Sequence, residues 1–265
     1  MIEYVSLFIN ILLTFVFSLG GFYYSKKLSY RKKRVFILIA VAGIIVWVFL
    51  TRSGTLQTLL TFSRLNVFLL DSYIIYLGIV VFTFAHSIID NFRTKRALTI
   101  FVWFVVFVSI VQSALFIVPD TIKNPSELSS DGTCFQSTSY TCAPCSAVIL
   151  LDKYGITSDE KEMTVLSYTR VLRGTSELAT YFGIKEKLKS TQYTTHLKHL
   201  SLDEIKTLKM PMLIAIKHLP LVNHAVVISN YNNNIFEIID PLEGIYTLST
   251  NELKEKYVRL VIYIE

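Results

Sequence analysis

Residues 136–156 read QSTSYTCAPCSAVILLDKYGI, a short polar stretch that passes at Cys142 into an apolar run. The run predicts a helix over residues 142–154, with Thr141 as its cap and Pro144 tolerated in the first turn, where backbone amides lack partners. A cysteine at this position feels the positive end of the helix dipole, which favours the thiolate form. The stretch therefore predicts a reactive cysteine at the start of a helix.

The residues after this helix predict an α+β domain. Two more helices are expected, in SDEKEMTVLSYTR and in SELATYF before Gly183. Four strands are then expected, in PMLIAIKHL, HAVVISNY, NIFEIID and YVRLVIYIE, with turns at Pro220 and at residues 232–234. Helices followed by an antiparallel sheet are typical of the α+β class.

Three further residues fit a nucleophilic site around Cys142. His224 begins one predicted strand and Asp240 ends the next, so neighbouring antiparallel strands would let Asp240 orient the imidazole. Gln136 precedes the cysteine by six residues and could donate its side-chain amide to an oxyanion. Each residue alone is more often structural, since a cysteine before an apolar helix is usually a small buried hydrophobe. The four together favour catalysis.

The remaining cysteines and histidines give weaker signals. Cys142 and Cys145 form a lone C-x-x-C pair, and His196 and His199 form H-x-x-H, whereas zinc takes about four ligands. We therefore predict no metal and no other cofactor, and expect both histidines on a solvated helix or loop face. In an oxidising compartment Cys134 could pair with Cys145 and leave Cys142 free, but sequence does not fix this connectivity.

The whole chain has the composition of a membrane protein, and its long apolar stretches lie in the N-terminal half. The 265 residues are 52% hydrophobic and 17% charged, which excludes a disordered or fibrous chain. Spanning a bilayer takes about 20 helical residues. Four predicted transmembrane helices cover residues 4–24, 35–50, 67–89 and 98–118. The second is short and would need residues on either side of it to cross the bilayer. The first lacks the basic region of a signal peptide and is expected to be retained.

The distribution of charge predicts the orientation. Residues 1–120 hold 11 Lys and Arg against 4 Asp and Glu, and residues 121–265 hold 15 against 16. The neutral second half offers no phosphate-binding face, so no nucleic acid partner is expected. Nine basic residues lie in the first and third loops and two in the second. By the positive-inside rule, both termini lie outside the cytoplasm.

The predicted organisation is a membrane domain at residues 1–119, a polar linker at 120–133 and a second domain at 134–265. Asp71 and His86 are the ionisable side chains well within the predicted spans. An intramembrane carboxylate can mark an ion path. Both residues lie near span ends, however, where side chains more often reach the headgroup region. A role of the four helices as a transporter or a receptor is therefore only a third alternative, after the two given below for the second domain.

The motifs of the second domain resemble the C39 family of papain-like cysteine peptidases. This family supplies the peptidase domains of bacteriocin-exporting ABC transporters, which cut leader peptides after a double glycine. The similar segments are QSTSYTCAPCSAVILLDKYGI, LRGTSELATYFGI, PMLIAIKHLPLVNHAVVI and IIDPLEG. By position, the resemblance implies Cys142 as nucleophile, His224 as general base, Asp240 as its orienting partner and Gln136 in the oxyanion hole. Residues 174–176 match a family motif without an implied chemical role.

The resulting hypothesis is a multi-pass protein of a bacterial plasma membrane that carries an extracytoplasmic, papain-like cysteine peptidase. It would cleave a peptide or protein by a Cys-His-Asp mechanism, with processing of leader peptides as one use. Its partners would be the substrate, the lipid bilayer and a separate exporter, because these residues contain no Walker A motif. The alternatives are an inactive module that binds a secreted peptide, and an acyl or peptidyl transferase that uses the same cysteine.

Overall fold

The computed structural model describes residues 2–52, 54–69, 72–115, 122–171, 174–219 and 222–265. The chain divides into two compact units. The helical unit contains residues 1–52 and 65–118, and the sheet unit contains residues 53–64 and 119–265. The second unit is therefore built from two separate segments of the chain.

Long apolar helices make up the helical unit. In chain order the first six helices are α1 (Ile2–Lys27), α2 (Tyr30–Arg52), α3 (Thr55–Leu59), α4 (Leu65–Leu69), α5 (Ser72–Ile88) and α6 (Phe92–Leu115), of which α3 belongs to the sheet unit. The predicted helical N-terminal half is thus confirmed. Among the described residues, two helical stretches, Tyr4–Lys27 and Tyr30–Thr51, are long and apolar enough to cross a membrane.

The helical unit exposes large apolar side chains and buries polar ones. Phe8, Leu38 and Phe49 are each about two-thirds exposed, at 66%, 68% and 70%. Inside the unit, the buried Tyr76 hydroxyl of α5 donates a hydrogen bond to the Asn10 side chain of α1. Exposed apolar side chains in such number are uncommon on the surface of a water-soluble helical domain. His86 lies in the last turn of α5, and Asp71 lies outside the described residues.

The sheet unit places helices before an antiparallel sheet, as predicted for the second domain. Its other helices are α7 (Cys142–Asp152), α8 (Glu160–Leu166), α9 (Glu177–Lys187), α10 (Leu202–Ile205) and α11 (Thr250–Lys256). Its strands are β1 (Thr195–His199), β2 (Met212–Leu219), β3 (Val222–Asn232), β4 (Ile235–Asp240), β5 (Gly244–Ser249) and β6 (Tyr257–Ile264). The six strands are antiparallel in the order β1-β6-β2-β3-β4-β5.

The sheet is buried through alternate residues of its central strands. One core cluster contains Met212, Ile214 and Ile216 of β2, together with residues of β3, β4, β6, α10 and α11. The intervening residue Leu213 is also buried and shares a cavity with Cys142 at the start of α7. Both faces of β2 are therefore covered, which explains why its sequence reads as a continuous apolar run.

Two local predictions were wrong. The helix expected to end before Gly183 continues to Lys187. Gly183 does not end the helix; it lies where α9 passes close to the end of α8. A Cβ atom on Gly183 would come within 2.2 Å of Ser167 Oγ, so the glycine serves packing rather than termination. His196 and His199, expected on a helix or loop, lie in β1, which pairs with β6 at the edge of the sheet.

Candidate active site

Helix α7 presents Cys142 as its first residue. The Cys142 side chain is partly exposed, whereas the rest of the helix through Leu151 is buried. One turn further on, Ser146 Oγ donates a hydrogen bond of 2.9 Å to the carbonyl oxygen of Ala225 in β3. This bond joins the start of α7 to the residue next to His224, and so fixes Cys142 relative to the sheet.

Thr141 occupies the cap position of α7 but does not cap it. Its backbone angles are φ −107° and ψ 18°, and its side chain accepts no hydrogen bond from the first turn. Capping residues are usually extended, which aims their oxygen at the first-turn amides. Thr141 Oγ1 instead donates to the carbonyl of Thr138, 3.2 Å away. The expected cap is therefore replaced by a contact that closes the loop before the cysteine.

The sheet brings His224 and Asp240 together. Val227 of β3 pairs with Ile239 of β4, and continuing this antiparallel register sets Asp240 opposite Val226. His224 lies two residues earlier on the same strand, diagonal to Asp240 and on the same face. Its Nε2 atom is 2.7 Å from Asp240 Oδ1, and the two side chains are only 7% and 3% exposed.

Asp240 is held by two further donors. Its Oδ1 accepts a hydrogen bond of 2.7 Å from the Leu242 backbone N–H, and its Oδ2 accepts one of 3.3 Å from the Tyr246 hydroxyl. Burial opposes ionisation, but the hydrogen bonds from His224 and Leu242 outweigh it and hold the pKa of Asp240 below its usual value. Asp240 is therefore a fixed negative charge beside the imidazole.

His224 connects this carboxylate to Cys142. Because Nε2 faces Asp240, Nδ1 is the ring nitrogen left for Cys142, which lines the same two cavities as His224. Burial disfavours the charged imidazole, but hydrogen bonds and charge interactions with Asp240 and Cys142 outweigh it. They raise the pKa of His224 from 6.5 to about 9. The arrangement favours an imidazolium beside the Asp240 carboxylate.

Gln136 lies in the loop before α7. Its backbone N–H donates to the carbonyl of Pro241, 2.9 Å away, which joins this loop to the turn after Asp240. Its side-chain Nε2 donates to the Thr138 carbonyl at 2.9 Å, so the amide is oriented with one N–H left over. Its Oε1 is buried and has no partner among the described residues. Gln136 lines a cavity of about 500 Å³ together with Cys142 and His224.

A buried carboxylate supports this loop. Glu160, the first residue of α8, is fully buried, and its Oε1 accepts a hydrogen bond of 2.9 Å from the backbone N–H of Ser137. Its Oε2 accepts one of 2.7 Å from the backbone N–H of Ser126. Glu160 therefore links the start of α8 to two loop segments, one at Ser126 and the other at Ser137, directly after Gln136.

Sequence reasoning missed Glu177 as a residue near the site. The family-like motif at residues 174–176 leads into α9, where Ser176 caps the helix by accepting a hydrogen bond from the Ala179 N–H. The next residue, Glu177, lines a cavity of about 40 Å³ together with Cys142 and His224. A serine cap followed directly by an acidic residue marks a helix start, which is the signal that could have placed Glu177 near this motif.

Of the other histidines, His218 lies beside this cluster, with its ring centroid 5.4 Å from that of His224, and it lines the larger cavity. The other two cysteines and His196 are not part of the cluster. Cys134 and Cys145 are fully buried free thiols. A hydrogen bond between them, together with burial, raises the pKa of Cys145 above its usual range. His196 stacks on Tyr263 in β6, with 5.1 Å between ring centroids. In the part of the chain that the structure describes, no group of three His, Cys, Asp or Glu residues could hold a metal ion.

A family model that describes the Peptidase C39 family matches residues 130–265. The chain belongs to this family. The match covers the candidate site and leaves out the helical unit. A search of curated proteins finds no match.

Solved structures similar to this chain include peptidase domains. The peptidase domain of Streptococcus ComA, a bi-functional ABC transporter, is 19% identical over 49% of this chain and 94% of its own, with a TM-score of 0.44. That of Streptococcus mutans ComA is 18% identical over 51% and 98%, with a TM-score of 0.40. A double glycine motif protease from an AMS/PCAT transporter, solved with its leader peptide, is 15% identical over 54% and 95%, with a TM-score of 0.43.

Proposed function

We propose that this protein is a membrane-anchored cysteine peptidase in which Cys142 is the nucleophile, His224 the proton carrier and Asp240 its orienting partner. The observation that carries this proposal is the buried His224 imidazole, which bonds Asp240 through Nε2 at 2.7 Å and lines the same two cavities as Cys142. A nucleophile, a base and a group that orients the base, each within hydrogen-bond reach of the next, are the parts that covalent catalysis requires.

The chemistry follows from the two nitrogens of His224. The Cys142 thiolate attacks the carbonyl carbon of a peptide bond, and the oxyanion accepts hydrogen bonds from Gln136 and from the Cys142 backbone N–H, which has no partner within its own helix. The imidazolium gives its Nδ1 proton to the leaving amine. The neutral imidazole then takes a proton from water as the water attacks the thioester, which releases the acid and restores the pair of Cys142 and His224.

The helical unit would anchor the peptidase through four spans, formed by α1, α2, α5 and α6. Large exposed apolar side chains support this, as does the concentration of basic residues where α1 ends and α2 begins, and at the start of α6. Residues 54–64 follow the second span, and residues after 118 follow the fourth, yet both belong to the sheet unit. Four spans would put both segments on the same side of the bilayer, here the extracytoplasmic side.

The substrate would be a peptide with a small residue at the bond that is cut. The cavity of about 40 Å³ beside Cys142 would take this small residue, and the larger cavity of about 500 Å³, which Cys142 and His224 also line, would take a larger part of the substrate. Family membership makes the leader of an exported peptide the first candidate, with the exporter as a separate protein.

The first experiment measures whether His224 activates Cys142. The full chain in detergent would be alkylated with iodoacetamide over a range of pH, and the product at Cys142 quantified by mass spectrometry, in wild type and His224→Gln. We expect wild-type Cys142 to react well below the pKa of about 8.5 of a free thiol, and the substitution to remove this reactivity. The buried Cys134 and Cys145 should stay unmodified and serve as internal controls. Identical profiles in both proteins would contradict the proposal.

A second measurement separates hydrolysis from its alternatives. The chain is incubated in ¹⁸O-labelled water with peptides that contain Gly-Gly. Hydrolysis places the label in a new carboxyl group, whereas peptidyl transfer to an added amine gives an unlabelled amide. Binding of the peptides without either product would favour the inactive module.

A further inference from the structure

The loop between α2 and α4 is built into the sheet unit. Gln57, in α3, is a polar side chain that is only 8% exposed. Its Oε1 accepts a hydrogen bond of 2.9 Å from the backbone N–H of Leu178, and its Nε2 donates one of 2.8 Å to Glu177 Oε2. One side chain therefore satisfies an amide of the first turn of α9 and holds the carboxylate of the first residue of that helix.

Other contacts fix the same loop along α9. Arg64 Nη1 forms an ion pair of 2.8 Å with Glu186 near the end of α9, and its Nη2 donates to the Leu166 carbonyl at 3.0 Å. Gly54 has φ +74°, and a Cβ atom there would lie 2.5 Å from Leu260 in β6. The loop therefore contacts α9 at both ends and comes close to the sheet.

Glu177 carries this contact into the candidate active site. Its Oε1 accepts a hydrogen bond of 3.3 Å from the side chain of Asn223, the residue before His224. Glu177 and Asn223 both line the small cavity beside Cys142. A carboxylate has about four acceptor positions, and these two bonds use two of them. The carboxylate can therefore still accept a hydrogen bond from a group that enters the cavity.

We propose that Glu177 is a substrate-binding carboxylate that selects a positively charged or N–H-donating group next to the scissile bond, and that Gln57 is its positioning residue. This inference rests on the proposed function, because it takes the cavity beside Cys142 as the place where substrate binds. Specificity at this site thus depends on a loop that precedes the family-matched residues 130–265 by more than sixty positions.

The test uses two thiol reagents of opposite charge on the full chain in detergent. Cationic aminoethyl methanethiosulfonate and anionic sulfonatoethyl methanethiosulfonate both react with the Cys142 thiolate. The cysteine sulfur displaces methanesulfinate and forms a mixed disulfide. Because both reagents need the same thiolate, the ratio of their rates cancels any change in its population and reports the local charge. The ratio is measured at Cys142 by mass spectrometry.

In wild type we expect the cationic reagent to react faster, and Glu177→Gln to lower the rate ratio by about tenfold, as loss of one nearby charge in a partly exposed site predicts. The glutamine keeps an acceptor for Gln57, so the fold is retained. Gln57→Ala should lower the ratio by about threefold, because the carboxylate is no longer held at the cavity. Thr58→Ala is the matched control: its hydroxyl bonds only within the loop, to the Thr55 carbonyl at 2.8 Å. It should keep the wild-type ratio.

A wild-type ratio in Glu177→Gln would overturn the proposal. Equal ratios in Gln57→Ala and Thr58→Ala would overturn the positioning role of Gln57. Failure here is distinguishable from failure of the peptidase proposal, which is judged by the effect of His224→Gln on the iodoacetamide profile and does not depend on the rate ratio.

Discussion

The bond between His224 and Asp240 offers a direct test of how Cys142 is activated. Asp240→Asn replaces a buried carboxylate by an amide of the same size. The new side chain can still accept the Leu242 N–H, so the turn after β4 is retained. What it removes is the negative charge that faces Nε2 of His224 at 2.7 Å. The substitution therefore changes the charge on the imidazole's partner with little change in shape.

The expected effect can be estimated from that contact. A hydrogen bond to a charged group contributes about 1.5–3 kcal/mol, and we take about 2 kcal/mol as the loss in stability of the imidazolium. At 1.4 kcal/mol per factor of ten, the population of the thiolate–imidazolium pair falls about 30-fold. Below the ordinary pKa of a thiol this pair supplies most of the reactive thiolate, so alkylation of Cys142 should slow by the same factor.

The assay is iodoacetamide alkylation of the full chain in detergent at about pH 6, where a free thiol, with its pKa of about 8.5, is almost unreactive. Tyr246→Phe provides a matched control, because it removes only the 3.3 Å hydrogen bond to the other oxygen of Asp240. It should slow alkylation by no more than about threefold, for a bond worth roughly half a kcal/mol. If Asp240→Asn reacts as fast as wild type, Asp240 does not stabilise the imidazolium and the reasoning is wrong.

Three further predictions concern stability. The pKa of His224 rises from 6.5 to about 9 on folding, so its contribution, roughly 3 kcal/mol, is complete below pH 6.5 and is lost as the pH rises through 9. The thermal midpoint should therefore fall over that window in wild type and change less in His224→Gln. Ser146→Ala removes the 2.9 Å hydrogen bond to the Ala225 carbonyl. It should lower the free energy of unfolding by about 1–2 kcal/mol and slow the alkylation of Cys142. If neither value changes, this bond does not anchor α7. Gly183→Ala should cost about 1–3 kcal/mol, because its Cβ would lie 2.2 Å from Ser167 Oγ, and a thermal midpoint equal to that of wild type would show that α8 and α9 can separate freely.

The central strands and the pair of His224 and Asp240 could be predicted because local sequence decides them. The strands are buried on both faces, so they read as apolar runs, and a histidine and an aspartate at the ends of consecutive runs meet when those strands pair. The edge strand β1 could not be recognised in this way. Only Thr195 and Leu197 are buried among its five residues, and its pairing with β6 joins residues more than sixty positions apart.

The roles of Thr141, Gly183 and Gln57 could not be predicted because they depend on three-dimensional contacts that the local sequence pattern does not show. Thr141 has the right identity for a helix cap, but the loop geometry gives its hydroxyl to Thr138. Gly183 would end many helices, but close packing of α9 on α8 accounts for it here. Gln57 lies in a segment that reads as a connection between two apolar helices, and its partners follow about 120 residues later.

The two-segment construction of the sheet unit has a consequence for how the protein is made. Residues 54–64 are synthesised before α5, α6 and every strand of the sheet, so in the proposed topology this loop crosses the bilayer early and stays without its partners. Helix α9 gains the bonds to Gln57 and Arg64 only when the later part of the chain has been delivered to the same side. A chain whose last hairpin inserted the wrong way round would keep the two segments in different compartments. Its candidate site would then lack the support for Glu177, which couples maturation of the site to correct membrane insertion.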